Sequence, residues 1–200
     1  MIRAERDGDV LVLTLDRPER ANSLTAAMLS DLIAQVRSAR GLRLLILTGT
    51  GERAFSAGAD LDEARAGLAT SPLWEELSAA IAALPCLTVA ALNGTLAGGA
   101  FGMALACDIR LSVPHAAFFY PVAKLGFLPQ PSDPVRLATL VGPARAKLIL
   151  AGGARLDASE ALAFGLVDRI VPDPLAAARD LAPGTPAHVA SIKAMVPTGS

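Results

Sequence analysis

Apolar residues in this chain fall into two patterns. Largely apolar runs at 10–15, 42–47 and 87–92 and the stretch 109–113 read as strands, and the apolar character of 42–47 and 87–92 predicts burial on both faces. A last strand is expected at 166–171. The other pattern is helical. Met28, Leu29, Leu32, Ile33 and Val36 recur at helical spacing behind Thr25, which reads as an N-cap. Residues 61–84 read as helix interrupted near Thr70-Ser71-Pro72, 99–106 as a short helix, and the chain from Asp133 onward as several helices. Residues 48–58 read as a glycine-rich loop. Strands alternating with helices imply an α/β fold.

Composition narrows the classes. An apolar content of 52% supports a large core, and a net charge of −1 predicts neither a nucleic-acid surface nor a polybasic membrane surface. Residues 86–107 carry only Asn93 and Thr88 and Thr95 as polar side chains, and by length they would cross a bilayer, which takes roughly 20 apolar residues. Asn93-Gly94 and Gly98-Gly99 break the run, so it reads as strand, turn and helix. Cys86 and Cys107 lie in apolar surroundings and are expected to be free thiols of a reducing compartment. With no apolar leader at 1–10, a cytoplasmic location is expected.

Two turns carry the candidate chemistry. Phe55-Ser56-Ala57-Gly58-Ala59-Asp60-Leu61 and Asn93-Gly94-Thr95-Leu96-Ala97-Gly98-Gly99 each set small residues after a strand, where backbone N–H groups can be left bare. Two such donors aimed at one point would stabilise charge growing on a carbonyl oxygen. Gly49-Thr50-Gly51-Glu52-Arg53-Ala54 resembles a dinucleotide fingerprint, but that fingerprint must open a helix at once, and here the loop continues. The sequence has no GxSxG elbow, P-loop or zinc-spaced cluster, so no metal is expected.

Taken in order, the stretch 15–24 (Leu-Asp-Arg-Pro-Glu-Arg-Ala-Asn-Ser-Leu), the two turns, Cys107-Asp108-Ile109-Arg110 and Lys124-Leu125-Gly126 resemble the crotonase, or enoyl-CoA hydratase/isomerase, superfamily. The resemblance runs from about residue 10 to residue 171. It implies a ClpP/crotonase-like spiral of β-β-α units over a core at 1–172, with a shortened helical tail at 173–200. It implies that the N–H groups of Ala59 and Gly99 form an oxyanion hole for a coenzyme A thioester, coenzyme A being part of the substrate rather than a resident cofactor. Ala57, Asp60, Leu61 and Asp62 would line the path of pantetheine and adenine. Arg20 and Ala21 would flank the nucleotide end, Arg20 as a phosphate partner or as a solvated charge. Asp60 also reads as the cap of the next helix. A homo-oligomer on the family's trimeric plan is implied, although the chain stops soon after 187–196, short of the helices that usually join trimers.

The chain departs from the family where protons move. The two glutamates of the hydratases correspond to Gly102 and Val122, and the aspartate of some isomerases corresponds to Gln130. None of these can act as a general base. Three carboxylates could compensate: Asp133, which reads either as a base or, before Pro134, as a helix cap, and Asp62 and Glu63, which read either as groups pointing into the cleft or as solvated helix charges. Tyr120 reads as a hydrogen-bond donor to an acyl tail or as a packing residue beside Phe118 and Phe119. The expected function is therefore enolate stabilisation on an acyl-CoA with isomerase-type, non-hydratase chemistry. The alternatives are a non-catalytic acyl-CoA binding or carrier protein and, less well supported, a structural subunit.

Overall fold

The computed structural model describes residues 1–196. Its chain coils through repeated strand–strand–helix turns. β1 (Ile2–Asp7) and β2 (Val10–Leu15) form a hairpin, followed by α1 (Ala26–Ser38). Then come β3 (Leu44–Gly49), β4 (Ala54–Ser56), α2 (Leu61–Arg65) and α3 (Leu73–Ala82). The next turn is β5 (Leu87–Leu92), β6 (Thr95–Ala97) and α4 (Phe101–Leu105). The third is β7 (Ile109–Ser112), β8 (Ala117–Phe119), α5 (Val122–Leu125) and α6 (Asp133–Val141). The remainder is α7 (Pro143–Leu150), β9 (Arg155–Asp157), α8 (Ala158–Phe164), β10 (Arg169–Ile170), α9 (Pro174–Arg179) and α10 (Pro186–Met195).

The three turns β3–β4, β5–β6 and β7–β8 each give their first strand to one sheet and their second to another, whereas both strands of the β1–β2 hairpin join the first sheet. The large sheet has the order β1-β2-β3-β5-β7-β10, parallel except for β1. The small sheet has the order β4-β6-β8-β9, and only β9 runs antiparallel. The continuous apolar runs follow from this arrangement. Leu45, Leu47, Ala90 and Leu92 face the main core, while Leu44, Ile46, Val89 and Ala91 face a second cluster closed by Ala178 of α9. Both faces of β3 and β5 are therefore dry, as their sequence predicts.

Several elements differ from the sequence expectation. Residues 48–58 are not one loop, because β4 lies inside them, and β6 likewise follows Asn93-Gly94. Both are three residues long, too short for alternation to register. β1 reads as polar because it is an exposed edge strand. The 166–171 strand shrinks to Arg169–Ile170. The helix at 61–84 breaks earlier than expected, with a 3₁₀ turn at Leu68–Thr70 before α3. By contrast, α1 follows its pattern. Thr25 accepts the Met28 N–H, and the five apolar residues named above are buried. The apolar run at 86–107 is divided among β5, β6 and α4, and no helix of the described residues is long and apolar enough to cross a membrane. Cys86 and Cys107 are buried free thiols.

Charged residues of the Cys107-Asp108-Ile109-Arg110 stretch are structural. The buried Arg110 guanidinium donates to the carbonyls of Leu166 and Cys107 at 2.9 and 2.8 Å and to Asp168 at 2.9 Å. Asp108 accepts from the N–H and hydroxyl of Thr88 and from Lys193 of α10. Residues of the 173–196 segment thus reach the sheet through α9 packing and through Lys193, whose ammonium also meets the Cys86 carbonyl. Arg110→Ala strands two buried carbonyls and an acidic partner at once. It is expected to lower unfolding free energy by about 3–5 kcal/mol in a urea titration. A loss under about 1 kcal/mol would contradict this role.

Candidate active site

The two singled-out turns follow the second strands of consecutive coils. β4 delivers Ala57-Gly58-Ala59, and its parallel neighbour β6 delivers Gly98-Gly99. The turns touch through their backbones. A Cβ on Gly58 would stand 3.0 Å from the Ala97 carbonyl oxygen and 3.3 Å from the Gly99 nitrogen. Gly58 (φ +91°) and Gly98 (φ +59°) also adopt left-handed backbone, so glycine is favoured at Gly58 on both counts and at Gly98 by its backbone.

A strap from the first coil holds the Ala59 turn. The Leu24 N–H donates to the Gly58 carbonyl and the Asp60 N–H to the Leu24 carbonyl, both at 2.8 Å. The Ala59 N–H between them has no hydrogen-bond partner among the described residues. Gly99 is the second residue of a 3₁₀ turn at Gly98–Ala100 that runs into α4, a position whose N–H has no acceptor within the turn. Both residues are half-buried. The strap is itself braced. Ala21 and Asn22 both have positive φ, and buried Asn22 donates to the carbonyls of Thr50 and Ala54 and accepts from the Arg17 N–H. Asn93 grips the same loop from the other side through the Gly49 N–H and the Gly51 and Ala54 carbonyls. The fingerprint-like stretch at 49–54 therefore serves as a clamped connection and leads into a strand, not a helix.

The nucleotide-end candidates lie along this rim. Asp60 caps α2, accepting from the N–H groups of Asp62 and Glu63. Arg17 binds its other oxygen at 2.8 Å and holds the carboxyl below its ordinary range, with the two cap bonds acting in the same direction against burial. Ala57, Leu61 and Arg20 are exposed, and the Arg20 guanidinium makes no hydrogen bond among the described residues. Asp62 is exposed and pairs with Arg65, whereas Glu63 turns away to accept the Ala26 N–H and cap α1. Ala21 places its carbonyl on the Ala57 N–H.

The face of α4 that starts at Gly99 carries the second half of the site. Gly99 and Gly102 are three residues apart and share that face. The ring of Trp74 lies over Gly99, 3.1–3.2 Å from where a Cβ would be, and its indole N–H is tied to the Leu68 carbonyl at 2.8 Å. Over Gly102 lies Asp133. A Cβ there would stand 3.0 Å from Asp133 Oδ1 and 3.4 Å from Oδ2. The Asp133 carboxyl thus occupies the space that a side chain at 102 would need.

Asp133 is not the cap of α6. The N-cap is Ser132, whose N–H and hydroxyl are bound by Glu75 of α3, and Asp133 is the first helical residue, turned inward. It is fully buried. Oδ2 accepts the Tyr120 hydroxyl at 2.9 Å, and Oδ1 is the one buried side-chain polar atom among the described residues with no partner. Burial pushes this carboxyl up to about 6, against the lowering effects of the Tyr120 hydrogen bond and Arg136. Tyr120 is buried and stacked on Phe101, with ring centroids 5.2 Å apart, and its hydroxyl is taken by Asp133. Val122 is buried apolar, and Gln130 reaches only the Ala69 carbonyl.

Sequence reasoning located the turns, Asp60 and Asp133. It missed Arg17, Asn22, Asn93 and Trp74, which hold the site rather than form it, and it read Glu63 as a cleft or solvated charge where the carboxylate accepts the Ala26 N–H. Asn22 and Asn93 each stand inside a quoted motif, and a small polar residue at a turn was the available signal. Trp74 is the only tryptophan in the chain, but nothing in the sequence placed it against Gly99.

Comparisons with known proteins agree with this fold. The sequence profile of the enoyl-CoA hydratase/isomerase family matches residues 5–199. The Bacillus subtilis protein YngF is 39% identical over 168 residues, which are 80% of this chain and 64% of that protein, so the chain spans less than two thirds of its length. The carnitinyl-CoA dehydratase of Salmonella arizonae is 36% identical over 98% of this chain and 80% of its own. The crystal structure of enoyl-CoA hydratase from Bacillus anthracis superposes with a TM-score of 0.86 at 33% identity, covering 96% of this chain and 81% of that one. Pseudomonas aeruginosa DspI superposes with a TM-score of 0.85 at 31% identity, covering 96% and 84%. With the spiral of β-β-α units and the paired glycine turns in place, this chain belongs to the enoyl-CoA hydratase/isomerase family.

Proposed function

We propose that the protein is an acyl-CoA enzyme that moves a double bond by proton transfer, with one carboxylate doing both halves of the reaction. The observation that carries this reading is Asp133: buried, with one oxygen unpartnered, in front of Gly102. In a 3-enoyl-CoA, the thioester oxygen would lie between the N–H groups of Ala59 and Gly99. Asp133 would take a proton from the α-carbon, and the two N–H groups would hold the dienolate oxygen. Each such donor is typically worth about 2.7–4 kcal/mol in the transition state. The proton would return from Asp133 to the γ-carbon, leaving a double bond conjugated to the thioester. Asp133 would end as it began, and no water would be consumed. A second acid–base group, as at the hydratase positions, is not needed for this sequence of steps.

The carnitinyl-CoA dehydratase and enoyl-CoA hydratase relatives support a coenzyme A thioester as substrate. The exposed rim of Ala57, Leu61, Asp62 and Arg20 is the proposed path of the pantetheine and nucleotide, with Arg20 offered to a phosphate. A homo-oligomer and a cytoplasmic setting remain part of this proposal. Gly102 and Val122 also favour a second reading, a binder without chemistry.

Assay of 3-hexenoyl-CoA, following the conjugated product by ultraviolet absorbance, separates the two. Turnover is expected, and kcat/KM should rise with pH through about 6 as Asp133 loses its proton. Tight binding without turnover would favour the binder. Asp133→Asn should lower kcat/KM by about 10²–10⁴-fold. The same variant should be more stable than wild type at pH 7. Its folded pKa is raised, so the native state holds the proton more tightly than the unfolded chain, and wild-type stability falls as pH rises from about 4 to about 6. Removing that charge should gain roughly 3 kcal/mol at pH 7 and little at pH 4, from a shift of about two units. A cap residue would behave in the opposite way, losing stability. Gly102→Ala places a methyl against Oδ1 and should lower kcat/KM by about tenfold or more, even though alanine favours the helix. An unchanged rate would contradict the placement of the base.

A further inference from the structure

A carboxylate whose two oxygens are equivalent in solution is made unequal here. Oδ2 of Asp133 accepts the Tyr120 hydroxyl at 2.9 Å, and Oδ1 has no partner and stands 3.0 Å from the Cβ position of Gly102. The tyrosine is itself fixed: it is buried, and it stacks on Phe101, the first residue of the helix that carries Gly102, with ring planes 23° apart. Its hydroxyl therefore approaches the carboxyl from a position set by the same helix that presents Gly99 and Gly102. We propose that Tyr120 is a positioning residue of this site: by occupying Oδ2 it fixes the carboxylate with Oδ1 turned toward Gly102, ready to take a proton from the substrate α-carbon. This assignment rests on the isomerase reading only for the role of that carbon. The contact itself does not depend on it.

The surroundings leave this task to Tyr120. Three side chains of the surrounding elements bear on the Asp133 charge. On its own helix α6, Arg136 favours the ionised form, but its guanidinium is held by the Ser78 hydroxyl at 2.8 Å. On α3, Glu75 opposes ionisation and is engaged by Ser132. On α4, residues Phe101–Leu105 contribute no charged side chain. Between β8 and α5, Tyr120 supplies the one hydrogen bond the carboxyl receives among the described residues, and burial keeps its own hydroxyl protonated, well above the ordinary range. A group that stays a donor throughout the working range holds the carboxylate in place and favours its ionised, basic form.

Tyr120 is the only tyrosine in the chain, so biosynthetic 3-fluorotyrosine labels this position alone. The first arm is a ¹⁹F NMR titration of the labelled full chain. A step in chemical shift with a midpoint near 6 is expected, and it should vanish in Asp133→Asn. A flat trace would overturn the proposal. In the second arm, the pH profile of kcat/KM for 3-hexenoyl-CoA is compared between wild type and Tyr120→Phe. Loss of the donor should move the acid limb upward by about one pH unit and cut kcat about tenfold at pH 7, with KM little changed and part of the rate recovered at higher pH. Fluorotyrosine, a stronger donor on an intact fold, should move the limb the other way. A limb that stays in place in both would overturn the positioning role. A ¹⁹F step without turnover in wild type would leave the contact standing and remove the isomerase reading instead.

Discussion

Everything in this molecule depends on two glycine turns whose backbones touch. Gly58 lies so close to the second turn that a methyl on it would crowd the Ala97 carbonyl, and that proximity follows from β4 and β6 being parallel neighbours one coil apart. The spiral makes such neighbours by default. From β4 onward each coil places its second strand beside that of the preceding coil, so the turns that follow β4 and β6 line up along one edge of the small sheet. Burial of β3 and β5 on both faces then fixes the coil spacing, because a shift of one residue would turn each apolar set away from its own cluster. The large sheet thus supplies rigidity, and the small sheet places the site.

The site's polar groups are arranged by exclusion as much as by contact. Around Ala59, the flanking peptides are spent on Leu24, and the Ala59 N–H is the one left over among the described residues. Around Asp133, one oxygen is spent on Tyr120 and the other is left over in front of Gly102. In each case neighbouring bonds select which group stays free. The buried carboxyl costs the fold stability that a helix cap would have supplied, as its pKa raised by burial shows.

Much of this was legible in the sequence because it depends on local steric rules. Continuous apolar runs marked the doubly buried strands, the helical period of Met28 to Val36 marked α1, and paired small residues marked the turns. Asp60 was legible as a cap. The short strands were not, since three residues carry no period and their pairing comes from the coil. The Asp133 carboxyl was only half legible. The dipeptide Asp133-Pro134 resembles a cap, and the tertiary contacts that turn it inward, from Tyr120 and from the missing side chain at 102, lie 13 and 31 positions away in the chain. Gly102 read as a lost catalytic residue; in the fold it is the vacancy into which another element delivers a carboxylate.

The central claim is that Asp133 takes a proton from a carbon next to a thioester held by the two turns. Incubating butyryl-CoA with the protein in deuterated water, with mass spectrometry of the ligand, tests it without requiring the right double bond. The account predicts deuterium at the α-carbon with wild type and its loss with Asp133→Asn. Binding with no exchange, or exchange that survives that substitution, would contradict it.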